Sequence, residues 1–321
     1  MLVLSHDTAL LYWREIASMD ETPGNPVRLR KKPFARCFSD IAELQPPWTE
    51  WHDQPVDVLV PAGGHHKGSP RHICHTWSTP IPAAAYHRIS ADVFVCSPEF
   101  TFLQMAASLS LVELIALGYE LCGTYSLRPY PDEAPFRIKP LTTCKNLRQF
   151  VEKSSGARGQ RKAERALRYI ADGSHSPYET LTAMFLCTSV ALGGYGLPLP
   201  AMNIPVPLTE SAQTMAMRSE AVGDLVWLDG KLDIEYLGRL PHGSPEAMED
   251  DNARRNAIEA SDYRVITVSN AMLQSLSRFE SVATEAAKRL GKRMRPEALG
   301  PLEIRNALRT QAIDWTRRGG I

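Results

Sequence analysis

Two apolar runs, residues 222–228 and 231–237, meet at Asp229-Gly230. That dipeptide is a strong hairpin signal, because a tight turn needs residues that tolerate unusual backbone angles. A hairpin fixes which residues face one another, so this stretch constrains the chain more than any other. Asp224 opens the first strand and Glu235 lies in the second, where it interrupts an apolar run between Ile234 and Tyr236. The turn brings both to the same end of the hairpin. Two carboxylates converging there repel unless a cation lies between them, and a hard divalent ion with oxygen ligands meets that need. Such an ion polarises a phosphodiester and lowers the pKa of a bound water. Taken singly, Asp224 also reads as a strand-edge carboxylate and Glu235 as a solvent-facing strand residue.

The pattern around the hairpin predicts a helix over 177–190 and a strand near 203–207 before it. After it come a helix over 245–260, a strand over 263–268, a helix over 270–290 and a last helix over 301–318 with Arg305, Arg309, Arg317 and Arg318. Ser176-Pro-Tyr-Glu179 opens the first of these helices as a capping box. Glu179 therefore has two readings, a cap that satisfies backbone N–H groups or a third oxygen for the cation, directly or through water. His242 follows the hairpin in a Pro-His-Gly loop.

The first half reads as a small α+β domain. A helix is expected over 1–20, on Ala9, Leu10, Leu11, Trp13 and Ile16, and strands over 57–61, 72–77 and 93–96. Ser97-Pro-Glu caps one helix, and Ser110-Leu-Val-Glu113 is a capping box for another that Gly123 stops near Cys122. Residues 21–55 and 126–145 are Pro-rich and read as irregular. Arg28, Arg30, Lys31 and Lys32 in the first of these form a solvated loop or a phosphate contact. Residues 146–170 should be mostly helical and bridge the two halves. They place Arg158, Arg161, Lys162, Arg165 and Arg168 along one helix, as a solvated face or as contacts to a DNA backbone.

Composition narrows the partners. Lys and Arg number 36 and Asp and Glu 36, so no global field draws the chain to nucleic acid, and binding must come from local basic patches. The six cysteines form no C-x-x-C pair and several sit in apolar runs, as expected of buried thiols in a reducing compartment. His65, His66, His72, Cys74 and His75 invite a zinc reading, but their spacing fits no closed site, and His72 and Cys74 alternate as strand residues do. The amino terminus lacks the layout of a signal peptide and no run reaches the length of a membrane span, so a cytoplasmic location is expected and a membrane partner is not.

The ordered set Ser176-Pro-Tyr-Glu179, Gly223-Asp224, Asp233-Ile-Glu235-Tyr-Leu237-Gly238, His242, Asp251-Asn-Ala-Arg254-Arg255 and Tyr263-Arg-Val-Ile-Thr-Val268 resembles the Vsr-like (very-short-patch-repair-like) endonuclease domains of the PD-(D/E)xK superfamily. The resemblance implies a restriction-endonuclease-like three-layer α/β domain with a mixed central sheet. It implies that Asp224 and Glu235 ligate Mg²⁺ (or Mn²⁺), that Glu179 supports them, and that His242 lies by the scissile phosphate as proton donor or contact. Arg254 and Arg255 would touch DNA phosphate or pair with Asp251 along the helix. The chain departs from the pattern at Leu237, where the superfamily has Lys and this family Asp. Strand alternation puts Asp233 on the same face as Glu235 and Leu237, one repeat or roughly 6–7 Å away, as partial compensation.

The first half is similar to AbiEi-like antitoxin domains of type IV toxin–antitoxin systems, through Val95-Cys-Ser-Pro-Glu-Phe-Thr-Phe-Leu-Gln-Met-Ala and the Ser-Leu-Val-Glu-Leu helix. No clear helix-turn-helix accompanies it. The expected organisation is an α+β domain over 1–145, a basic linker helix over 146–173, a nuclease-like domain over 174–290 and a basic helical tail over 291–321. Three functions follow: a Mg²⁺-dependent DNA endonuclease in a bacterial defence or toxin–antitoxin setting, a catalytically degenerate DNA-binding or antitoxin-like regulator, or a protein-interaction component of defence. Besides DNA, the partners left open are a toxin or other defence protein and a second copy of the chain.

Overall fold

The computed structural model describes residues 2–18, 27, 55–60, 72–127, 138–238, 245–294 and 299–318, and everything below concerns those residues. The chain is mixed α/β, with two mixed sheets. It forms two compact units, one of residues 1–121 and 126–168, the other of 122–125 and 169–320.

The first unit opens with a strand that periodicity hides. Instead of one helix over 1–20, β1 (Leu2–Leu4) precedes α1 (His6–Ser18), because His6 turns the chain at φ 47°. β1 pairs in parallel with β5 (Val93–Cys96) and antiparallel with β2 (Val56–Val60). β3 (His72–Thr76) and β4 (Tyr86–Arg88) complete the order β3-β2-β1-β5-β4. α2 (Pro98–Met105) is capped by Ser97, whose Oγ accepts from Phe100 N. α3 (Leu111–Cys122) has its capping box closed both ways, Glu113 N to Ser110 Oγ and Ser110 N to Glu113 Oε2. Trp13, Phe100, Phe102, Leu114 and Tyr119 fill the core around a buried bidentate pair, Arg14 with Glu120.

The expected helix over 146–170 is two helices, α4 (Cys144–Lys153) and α5 (Gln160–Ala166). They part at Gly159, whose φ is 88° and on which a Cβ would lie 2.8 Å from the backbone of Ala106. Only glycine admits both that angle and that approach. Both helices belong to the first unit.

The second unit runs α6 (Pro177–Cys187), β6 (Ala201–Pro207), α7 (Glu210–Ala216), β7 (Glu220–Trp227), β8 (Leu232–Leu237), α8 (Pro245–Ala260) and β9 (Arg264–Ser269). The sheet order is β6-β7-β8-β9, antiparallel but for β8 with β9. Ala212 of α7 and Ala257 and Ile258 of α8 pack with Val206, Ala221, Val226 and Val265 on one face of the sheet. On the other face, under Leu225 and Ile234, lies α6. Its Phe185 meets Phe279 edge-on. Phe279 belongs to the predicted helix over 270–290, which Ser275 divides into α9 (Asn270–Gln274) and α10 (Leu276–Arg289) by ending the one and capping the other. α11 (Leu302–Arg318) closes the unit, and its Arg305 and Arg309 are 9% and 7% exposed. Arg305 donates to Tyr195 Oη and Glu280, and the Arg309 guanidinium lies 4.4 Å from the Phe185 ring centre. These two arginines hold the helix down, and side chains so covered do not offer their charge to a partner outside.

Candidate metal-binding site

The site grows from a change of phase in the sheet. Ala221 and Val226 reach the same core although they lie five positions apart, which strict alternation forbids. The register places Asn203 opposite Asp224 between the paired Met202–Leu225 and Ile204–Gly223, and Asn203 has a φ of 52°. Both strands change phase at that level. β7 and β8 pair from Trp227–Leu232 to Leu225–Ile234. Continuing that register sets Asp224 against Glu235, as the hairpin predicted. There the strands part, and Asp224 Oδ2 accepts the Tyr236 N–H at 2.9 Å in place of a backbone carbonyl.

Glu179 fulfils the capping box. Its N–H bonds Ser176 Oγ, and its carboxylate accepts from Ser176 Oγ and His175 N. It also accepts from Asn203 Nδ2 at 2.7 Å, a bond that ties it to the level of Asp224. The two readings of Glu179 are thus compatible. Burial, then the charge of Glu179, then that of Glu235 push the Asp224 carboxyl up to about 7, against the Tyr236 N–H and Arg254, which pull it down.

Glu235 is 3% exposed. Arg254 from α8 donates to its Oε1 at 2.6 Å and to the Val222 carbonyl, and Arg255 lies 3.5 Å from Oε2. One turn of α8 thus aims both arginines at the buried carboxylate, whose desolvation they offset. Leu237 is exposed. His242, like His65 and His66, lies outside the described residues. Arg158, Arg161 and Arg165 are exposed in the first unit, whereas Lys162 spends its ammonium on the Leu109 carbonyl. His75 pairs with Asp57 at 2.6 Å and stacks on His6. The five described cysteines are free thiols, four of them buried.

Two participants escaped sequence reasoning. Asn203 and Gly223 each break an apolar strand, and such a break was the available signal. Gly223 makes room for Asp233, which is fully buried and stands on the α8 face between Val226 and Val265. Burial first, then Glu235 and Asp224, push the Asp233 carboxyl up to about 8. In addition, Tyr178 and Tyr236 stack at 4.8 Å beside the site.

In donor chemistry this group fits a hard cation: four carboxylates, one of them without a hydrogen-bond partner among the described residues. No three of its carboxylate oxygens lie within 4.8 Å of one another, so an ion would have to draw the side chains together and displace Arg254 from Glu235. The chain matches no protein-family model, no curated protein and no solved structure.

Proposed function

We propose that the second unit is a metal-dependent nuclease-like domain that hydrolyses DNA phosphodiesters. The observation that carries the reading is that Asp224 and Glu235 fall at the same level where β7 and β8 part, with Asp224 Oδ2 on the Tyr236 N–H and Glu179 tied to that level through Asn203. The order helix, three antiparallel strands, helix and parallel fourth strand accords with a restriction-endonuclease-like core, with α7 inserted between β6 and β7. Asp224 and Glu235 would hold Mg²⁺ or Mn²⁺, and Glu179 would support them through Asn203. The bound ion supplies charge neutralisation at the phosphate and an acidified water. The chain's own part is to hold the carboxylates, Glu179 and Glu235 buried and Asp224 half-buried, with Arg254 as counter-charge until the ion enters. Exposed Arg158, Arg161 and Arg165 are the candidate backbone contacts.

The test is nicking of supercoiled plasmid with Mg²⁺ or Mn²⁺ by the wild type and Glu235→Ala. Activity in the first and a loss of at least about a hundredfold in the second is expected. Equal activity in both, or none in either, discards the enzyme. A second reading rests on Leu237 and on the hold of Arg254 and Arg255 over Glu235. On that reading the domain is a DNA-binding regulator that keeps the fold without turnover, and plasmid is retained but never nicked.

A further inference from the structure

We propose that Asp233 supplies the metal-site carboxylate that position 237 lacks. This rests on the metal-binding reading above and extends it to Asp233, which strand alternation offered only as partial compensation. Asp233 has no exposed surface, and neither carboxylate oxygen has a hydrogen-bond partner among the described residues. The Leu225 N–H lies close enough to draw the carboxyl down but does not align as a donor to it. A buried carboxyl whose oxygens make no hydrogen bond is costly. Its strand neighbours, Val226 across β7 and Val265 across β9, are core residues. Packing alone asks for another Val or Ile at this point.

The sheet nevertheless accommodates the acid. A Cβ on Gly223 would lie 2.6–2.7 Å from all three carboxyl atoms of Asp233, so the strand forgoes a side chain to admit it. Asp233 shares the α8 face with Glu235, two residues on, and Arg254 is the cation nearest to both that the described residues supply. Leu237, at the other side of Glu235, is 47% exposed and faces Ser269, with no carboxylate beside it. The acid is thus moved from two residues after Glu235 to two residues before it. The site shifts inward along β8, where it is drier and where a hard cation satisfies the otherwise idle oxygens.

Mn²⁺ binding to the full chain, followed by calorimetry and by the shift in melting temperature, tests this. Asp233→Asn keeps the size and shape of the side chain and removes the acid, so without metal it should fold and melt much as the wild type does. It should also lose the Mn²⁺-induced rise and bind Mn²⁺ at least about tenfold more weakly. Leu237→Asp, at an exposed position that leaves the core alone, should tighten Mn²⁺ binding by no more than about threefold, because the ligand it would add is already provided. Asp233→Asn binding Mn²⁺ as tightly as the wild type, or Leu237→Asp tightening it tenfold or more, overturns the role of Asp233 while leaving Asp224 and Glu235 as ligands. A wild type that binds no Mn²⁺ overturns the metal-binding reading itself, and this inference with it.

Discussion

His6 illustrates how one backbone angle draws a polar side chain partly out of solvent. Its left-handed φ ends β1 and starts α1, and lays the imidazole on His75 with ring centres 3.5 Å apart. Burial, then the neighbouring His75, lower its pKa to about 3, against Asp57, which raises it. A depressed histidine contributes stability that is complete above its unfolded pKa of about 6.5 and is lost as pH falls toward the folded value. Between pH 7 and pH 5 the loss from this residue should be about 2 kcal/mol. Asp7, whose pKa burial and Asp57 raise, acts in the opposite sense, so the difference between variants isolates His6. His6→Asn tolerates the left-handed angle and removes the titration. Urea midpoints at the two pH values should therefore differ less in the variant, and equal differences in variant and wild type would refute the assignment.

Elements were legible in the sequence wherever a local signal fixed them, and obscure wherever long-range packing did. The capping boxes at Ser110 and Ser176 and the cap at Ser97 formed as read, because each closes within one turn. The hairpin register held as well, though by another turn. Neither Asp229 nor Gly230 has a positive φ; Lys231 does, at 44°, and its N–H bonds the Leu228 carbonyl. That Asp224 and Glu235 fall at the same end of the hairpin was readable because hairpin arithmetic is local. The phase change at Asn203 and Asp224 was not, since counting alternate residues assumes an unbroken strand. The same limit hid the division of α4 from α5, which depends on Ala106, far off in sequence. Gly159→Ala should cost about 2–4 kcal/mol, combining left-handed strain with a backbone clash at 2.8 Å. Gly156→Ala, at φ 78° with nothing within 4 Å, should cost only about 1–2 kcal/mol. Equal losses in denaturant unfolding would show that the approach of Ala106 carries no weight.

At the scale of the whole chain, charge balance limits what can bind. With 36 cations against 36 anions, any attraction to DNA is local, and the structure removes several of the cations the sequence offered for it. Arg254 and Arg255 pair with Glu235, Arg305 and Arg309 lie on the buried side of α11, and Lys162 donates to a carbonyl. Arg158, Arg161 and Arg165 remain as exposed cations beside α5 or on it. If they hold the DNA backbone, each contact releases about one counterion. The variant carrying Arg161→Glu and Arg165→Glu should then bind duplex DNA at least about tenfold more weakly in low salt. Its plot of log Kd against log salt should flatten by about two contacts' worth. Both substitutions lie on exposed positions of a short helix whose buried side is Ala163 and Ala166, so the fold should survive them. An unchanged salt slope would move the DNA contacts off this helix. Weaker binding with an unchanged slope would mean that the substitutions disturb the first unit rather than remove phosphate contacts, because only lost ion pairs alter the number of counterions released.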